Sequence, residues 1–537
     1  MNLKIRFLAI LTANLFTAQV FAQGIEQVET TAGTYRGHSS NYVDGVTAFK
    51  GIAFASPPVR DLRWKPPEAP ISFAGVRQAD RVGPACWQAR NPDNNVYARG
   101  NLNRSEDCLY LNVYTPAEST SDSLPVMVWF HGGGNTAGHG GAEIFDGSNL
   151  AARGAVVVTA NYRLGPFGFL AHPALTNESE QRASGNYGLM DQIETLRWVR
   201  DNIEGFGGDA DRVTIFGQSA GGSDVCLLMA SPLANDLMHR VIGQSPGACV
   251  SQGIALESGN NSAHDRGERF IEAMGINGSN AATLESMRDL SPQEIISTMR
   301  SAGNPNGPIV DGWVIPESPA TLFNSGRFNR VPVMMGALAH EYFGLQSNAP
   351  AITEEELQDY LNGRFGNNAN SVVAAYENII DESPLAARKT ITGDGGFIRA
   401  VRDWARAVRS HDEPAYVYYF SREVPVFRLY VPERPDLNGD GGQRTLGAYH
   451  SGDLAYVFDN LDVVGIGWDD TDRALSETVA DYWFNFAATG NPNGAGLPEW
   501  PVFDPATDEV QILDAEVRNE VHPRKEFVEL IESAASP

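Results

Sequence analysis

The chain has 537 residues, 42% of them hydrophobic, which is enough for a large core and excludes a disordered or fibrous polymer. Its formal net charge of −26 repels nucleic acid and anionic membranes, which argues against polyanionic partners, although a few buried arginines could override that locally. That charge concerns solubility and partners and carries no information about fold. The first segment, "MNLKIRFLAILTANLFTAQVFA" (1–22), joins a basic start at Lys4 and Arg6 to an apolar run from Phe7 to Phe16. A small-residue site, Val20-Phe21-Ala22, closes it. This is the pattern of a secretory signal peptide, too short and wrongly flanked to span a bilayer. No later stretch has the uninterrupted apolar length of a membrane span. An exported protein, periplasmic or secreted, is therefore expected. Residues 23–537 then form the mature chain, which has lost two basic residues and stands at −28.

Next comes "VETTAGTYRGHSSNYVDGVTAFKGIAFA" (28–55), whose alternation predicts antiparallel hairpins. Four cysteines follow along the chain: Cys86, Cys108, Cys226 and Cys249. They fit two disulfides in an oxidising compartment. Three pairings are open to spacing alone, and the sequence-near one, Cys86–Cys108 with Cys226–Cys249, is the one expected. No close Cys or His pairs with ligand spacing predict a metal site.

Short apolar runs bounded by Gly, Pro, Asn or Asp recur at 124–134, 154–163, 212–217, 239–245, 331–338 and 414–421. Near-continuous Val, Ile and Phe without alternation predicts strands covered on both faces. Between them, "DQIETLRWVRDNIEGFGG" (191–208) places Ile193, Leu196, Val199 and Ile203 on one helical face, with Gly207-Gly208 as its stop. Strands alternating with helices predict a mostly parallel α/β sheet. Regions 251–330 and 345–412 read as helical insertions. "RFGNNANS" (364–371) is the most linker-like stretch, yet it is short and sits between helical patterns. One domain with inserted caps is expected.

"TIFGQSAGGSDV" (214–225) carries the chemistry. Gly217-Gln218-Ser219-Ala220-Gly221 matches G-x-S-x-G, follows a strand and opens a helix. A sharp strand-to-helix turn strains its central residue and crowds the positions two before and two after. Only glycine fits there, and the serine oxygen is left exposed. A serine hydroxyl needs a base, a group to orient that base, and donors for the oxyanion. Donors are expected from "FHGGGNTAG" (130–138) and from Ala220. Hydrolases of this kind order nucleophile, acid and histidine along the chain. The histidines after Ser219 are His239, His264, His340, His411, His450 and His522. His450 stands on a short loop before an amphipathic run, and Glu341 lies just past the run 331–338, where the acid belongs.

At this point the chain resembles the type-B carboxylesterase/lipase family, which includes the cholinesterases and has the α/β-hydrolase fold. The likeness covers nearly all of the mature chain. It rests on "SEDCLYLNVYTP" (105–116), "VWFHGGGNTAG" (128–138), "NYRLGPFGF" (161–169), the stretch 185–222, "GALAHEYFG" (336–344) and "GAYHSGDLAYVF" (447–458), in family order. The resemblance implies Ser219 as nucleophile, Glu341 as acid and His450 as base, with Gly133, Gly134 and Ala220 as oxyanion hole. It also implies a Cys86–Cys108 loop walling the active-site gorge, and structural ion pairs Arg63–Glu106 and Arg163–Asp191. The activity implied is hydrolysis of small-molecule carboxylic esters through an acyl-enzyme, without a cofactor.

The chain departs from the family pattern in several places. Gln218 stands where many members carry Glu, and the acid motif reads "AHEY". Where cholinesterases carry a cation-stacking Trp, about ten residues before the second cysteine, this chain reads "VYARG" (96–100). A choline ester is thus not the expected substrate. Cys226 and Cys249 do not match the second cholinesterase disulfide, and a bridge between them would brace the serine's turn. "DLNGDGG" (436–442) has calcium-loop spacing, but Gly447 takes the place of the twelfth-position acid, so a glycine-rich turn is expected. Two rival readings remain. A lipase or sterol esterase would need a long apolar lid, whereas the Cys86–Cys108 loop is short and polar. A non-catalytic adhesion protein of the same fold would lack the nucleophile or its partners.

Overall fold

All six apolar runs become strands of one sheet in the computed structural model, which describes residues 24–90, 95–431 and 443–534. From one edge the sheet runs Arg518–Val521, Glu509–Leu513, Ala415–Phe420, Val333–Leu338, Arg240–Gln244 and Gly208–Gln218. It continues through Leu124–Phe130, Val156–Ala160, Tyr110–Thr115, Thr47–Ala53 and His38–Ser39. The strands from Glu509–Leu513 to Val156–Ala160 are parallel. Antiparallel pairs flank them at both edges. This is the α/β-hydrolase architecture expected from the sequence.

The lack of alternation in the central runs has the expected cause. Val126, Val128, Phe130, Val158 and Ile215 bury one face of the sheet, and Met127, Trp129, Val157 and Phe216 the other. Helices cover both faces, so the central strands have no solvent-facing side and are nearly all apolar, with Thr159 and Thr214 as buried exceptions. The stretch 191–208 lies on helix Tyr187–Asn202, continues as a 3-10 turn, and stops at Gly207 with φ +77°.

The sheet order departs from chain order at one place that matters. After Leu124–Phe130 the chain crosses to Val156–Ala160 on one side, then returns to Gly208–Gln218 on the other. Such a reversal opens a crevice at the carboxyl ends of the strands, the place where open α/β sheets bind ligands. The glycine loop and Ser219 both leave the sheet there.

The expected helical insertions are present. Region 251–330 carries Ala263–Glu272, Ala281–Asp289, Pro292–Ala302 and Pro319–Asn324. Region 345–412 runs from Glu354–Phe365 to Arg399–Arg409, with a small core of its own around Leu357, Leu361, Phe365 and Ile391. "RFGNNANS" serves as the turn between two helices of that core. Both sequence-near disulfides are formed, Cys86–Cys108 and Cys226–Cys249. The second ties helix Ala220–Ala230 to the loop beyond strand Arg240–Gln244. Arg63–Glu106 and Arg163–Asp191 are bidentate ion pairs with every N···O distance between 2.6 and 2.8 Å. Among the described residues no helix is long and apolar enough to cross a membrane. Segment 1–22, expected to be a signal peptide, and "DLNGDGG" (436–442), expected to be a turn, lie outside the described residues.

Candidate active site

Strand Gly208–Gln218 ends directly on Ser219, whose backbone has φ +58° and ψ −122°. A residue with a side chain reaches that region only when its surroundings hold it there. Here the hold is tight. A Cβ on Gly217 would lie 2.5 Å from the Gly221 carbonyl carbon, and one on Gly221 would collide with the Phe130 carbonyl oxygen. Ser219 N donates to the Gln244 carbonyl at 2.8 Å, and Ser223 N donates to the Ser219 carbonyl at 2.9 Å. Helix Ala220–Ala230 begins at once. The Ala220 N–H therefore belongs to the first helical turn, whose donors have no intrahelical acceptor.

The glycine loop faces this turn. Gly133 has φ +113° and Gly134 φ +64°, and a Cβ on Gly133 would run into the Ala137 carbonyl oxygen. Asn135 fastens the loop from below. Its Nδ2 donates to Asp224 Oδ1 at 2.9 Å, and its Oδ1 accepts from the Tyr162 hydroxyl at 3.0 Å. Asp224 sits on the serine's own helix, and its other oxygen accepts from Gln192 Nε2 at 2.7 Å. One buried carboxylate thus ties the helix that starts at Ala220 to the loop that supplies Gly133 and Gly134.

That carboxylate titrates in an unusual range. Burial pushes Asp224 up to about 7, against the pull of the Asn135 and Gln192 amides. The folded chain keeps a proton that the unfolded chain releases near pH 4. The group's stabilisation is complete below that pH and is lost as pH rises through 7. We expect Asp224 to contribute a fall in stability in urea on the order of 2 kcal/mol between pH 5 and pH 7, set against the rise contributed over the same range by buried neutral histidines such as His131 and His139. Asp224→Asn, which cannot titrate, should remove that share of the slope. Equal slopes in the two proteins would clear Asp224 of the effect.

His450 and Glu341 meet across the crevice mouth. His450 Nδ1 hydrogen-bonds Glu341 Oε2, while Glu341 Oε1 accepts from Leu338 N at 2.8 Å and from Ser245 Oγ at 2.7 Å. Both residues are 1% exposed. The Phe397 ring lies 4.6 Å from the imidazole, and the Tyr97 hydroxyl donates to the His450 carbonyl at 2.8 Å. With Nδ1–H turned to the carboxylate, Nε2 presents a lone pair toward the serine's turn. Gln218 Nε2, on the residue before Ser219, stands 3.1 Å from that nitrogen and donates to it.

This contact explains what the Gln at position 218 does. A neutral amide holds the ring through a hydrogen bond that must yield when Nε2 takes the serine proton. A carboxylate there would favour the protonated ring, which cannot take the serine proton. Gln218→Glu should therefore lower activity at pH 6 relative to pH 8 by several-fold. A pH–rate profile superimposable on wild type would refute that role.

The other histidines after Ser219 have local partners. His239 Nδ1 accepts from Val213 N, His264 Nε2 meets Thr176 Oγ1, and His340 Nδ1 accepts from Ala448 N. His411 Nε2 meets the Phe323 carbonyl, and His522 Nδ1 accepts from Arg524 N. Beside the turn lies a cavity of about 290 Å³ lined by Gly134, Ala220, Ser223, Leu227, Ile309 and Val310. Cys249 lines it as well, so the second disulfide borders the cavity. Sequence reasoning did not single out Ser245, Asp224 or the Gln218–His450 contact. The first two are ordinary polar residues in the sequence, and only the folded register brings them to the site.

A strained serine on a strand-to-helix turn, at the switch point of a mostly parallel sheet and opposite a buried His–Glu pair, defines an α/β hydrolase. Residues 25–531 match the carboxylesterase family, and the chain belongs to it. It is 35% identical over 467 residues to the fumonisin B1 esterase of Sphingopyxis macrogoltabida, covering 86% of this chain and 82% of that one. It is 34% identical over 517 residues to the para-nitrobenzyl esterase of Bacillus subtilis, covering 93% and 97%. The solved carboxylesterase of Geobacillus stearothermophilus superposes with a TM-score of 0.78 at 30% identity, covering 95% of this chain and all of that one. The protein is a carboxylic ester hydrolase.

Proposed function

We propose that Ser219 is the nucleophile of this esterase, His450 its general base and Glu341 the group that orients the base. The observation that carries this reading is the His450–Glu341 pair, which turns the imidazole Nε2 to Gln218, the residue directly before the strained Ser219. His450 takes the serine proton as Oγ attacks the ester carbonyl. The tetrahedral oxyanion is held by the N–H groups of Gly133, Gly134 and Ala220. The alcohol leaves with the proton from His450, and water cleaves the acyl-enzyme by the same steps.

We further propose small or aromatic esters as substrates, acted on by a protein exported through segment 1–22 to the periplasm or beyond. A cavity of about 290 Å³ is at the small end of the range for ligand pockets and suits a short or aromatic group better than a long acyl chain. The two disulfides fit an oxidising compartment. The test is a panel of p-nitrophenyl esters from acetate to palmitate, with titration by an organophosphonate. Activity that peaks at short chains, with one equivalent of label on Ser219, is the expected result. A peak at palmitate would make the protein a lipase, and absence of both turnover and label would overturn the assignment.

A further inference from the structure

The loop closed by Cys86–Cys108 touches the site with two side chains. Tyr97 reaches His450, as described above. Arg99, two residues on, lies against the glycine loop. Its Nη2 is 3.2 Å from the point where a Cβ on Gly133 would stand. The guanidinium is stacked on the Tyr430 ring at 4.8 Å, and the residue is 6% exposed.

Burial of a guanidinium normally comes with a carboxylate, because an unpaired buried charge is costly. Three other arginines are as deeply buried among the described residues, and each obeys the rule. Arg63 pairs with Glu106, Arg163 with Asp191 and Arg402 with Asp508. Among the described residues Arg99 has no carboxylate partner, and its Nε and Nη1 have no hydrogen-bond partner. Its neighbours do not offset the charge. His131 and His139 are held neutral, His139 down to about 4 and His131 to about 3, by burial first and by the Arg99 charge in addition. The corner beside the glycine loop therefore carries one fixed positive charge awaiting an anion.

We propose that Arg99 is the receptor for a carboxylate carried by the ester substrate, which makes half-esters of dicarboxylic acids and similar anionic esters the preferred class. A single guanidinium balances one carboxylate and matches its planar geometry, whereas a phosphate dianion would remain half neutralised. The acidic surface does not oppose this, since a buried cation acts at short range while exposed charges are screened by salt. The proposal rests on the esterase reading given above and deepens it.

Two pairs of probes test it: mono-p-nitrophenyl glutarate against p-nitrophenyl pentanoate, and 4-carboxyphenyl acetate against phenyl acetate. The first pair puts the carboxylate on the acyl half, the second on the leaving group. In wild type, the anionic member of at least one pair should be favoured about tenfold or more in kcat/KM, chiefly through KM. Arg99→Met should reduce that anionic-to-neutral ratio by about tenfold or more, with Arg99→Lys retaining part of it. Glutarate itself should inhibit wild type competitively against the neutral ester, where chloride at equal ionic strength does not. This last readout needs no variant to fold.

The proposal is overturned if wild type prefers the neutral member of both pairs and glutarate does not inhibit. It is equally overturned if the anionic preference survives in Arg99→Met. Wild type that hydrolyses none of the four esters would instead strike the esterase reading beneath it.

Discussion

Ser219→Ala is expected to lower kcat by about 10⁴- to 10⁶-fold, with little change in thermal stability. The two halves of that expectation have separate causes. Alanine keeps a Cβ, so the strain of φ +58° is the same for both residues, and the Gly217 and Gly221 clearances that impose it are untouched. The backbone bonds from Ser219 N to Gln244 and from Ser223 N to the Ser219 carbonyl also remain. What is lost is the oxygen proposed to form the acyl-enzyme. The proposed N–H donors of Gly133, Gly134 and Ala220 would still polarise a bound ester, which leaves a rate above the uncatalysed one, by about 10³-fold where such residues act as a unit. The measurement is kcat and KM for p-nitrophenyl butyrate, together with phosphonate titration. Wild type should take one equivalent of label and the variant none. Turnover within tenfold of wild type would remove Ser219 from the role of nucleophile.

How far the sequence discloses this site depends on the kind of constraint involved. Local constraints are written in consecutive residues. Gly217, Ser219 and Gly221 are forced by clashes within one turn, so the motif is visible without any knowledge of the rest of the chain. The central strands are visible for a similar reason, since a strand such as Leu124–Phe130, buried on both faces, must be apolar throughout. The positions of Glu341 and His450 follow from chain order, once the run 331–338 is taken as a strand. Long-range constraints leave weaker traces. Asp224 looks like a surface residue in the sequence and proves to tie helix Ala220–Ala230 to the glycine loop, the two elements proposed to form the oxyanion hole. Ser245 supports Glu341 from the end of a neighbouring strand, and no periodicity marks it. Arg99 is the extreme case, because the informative fact is the absence of a counter-charge around it among the described residues. One trace did exist in the sequence: a lone charge between Ala98 and Gly100, in a disulfide-closed loop where small residues bring the backbone close to its neighbours.

Glu341→Gln should lower kcat by about 10³- to 10⁴-fold with KM nearly unchanged, although the substitution alters only one atom. The reason lies in which groups face each oxygen. Leu338 N–H can only donate, so the oxygen of a glutamine must occupy the place of Glu341 Oε1. The amide nitrogen is then forced to the place of Oε2, where it donates toward His450 Nδ1. That nitrogen must become the acceptor, and the imidazole proton moves to Nε2. An imidazole protonated on Nε2 cannot accept the proton of Ser219, so the base is disabled while its position is kept. KM is spared because Glu341 is 1% exposed and does not line the cavity. Phosphonate labelling distinguishes this variant from Ser219→Ala: labelling should be slowed by a similar factor and still reach one equivalent. Glu341→Asp should lose less, since it retains the charge and the tautomer and sacrifices only reach. A Glu341→Gln enzyme with kcat within tenfold of wild type would mean that another group sets the His450 tautomer. The neighbouring Gln218 amide, whose Nε2 lies 3.1 Å from the imidazole, would then be the group to substitute next.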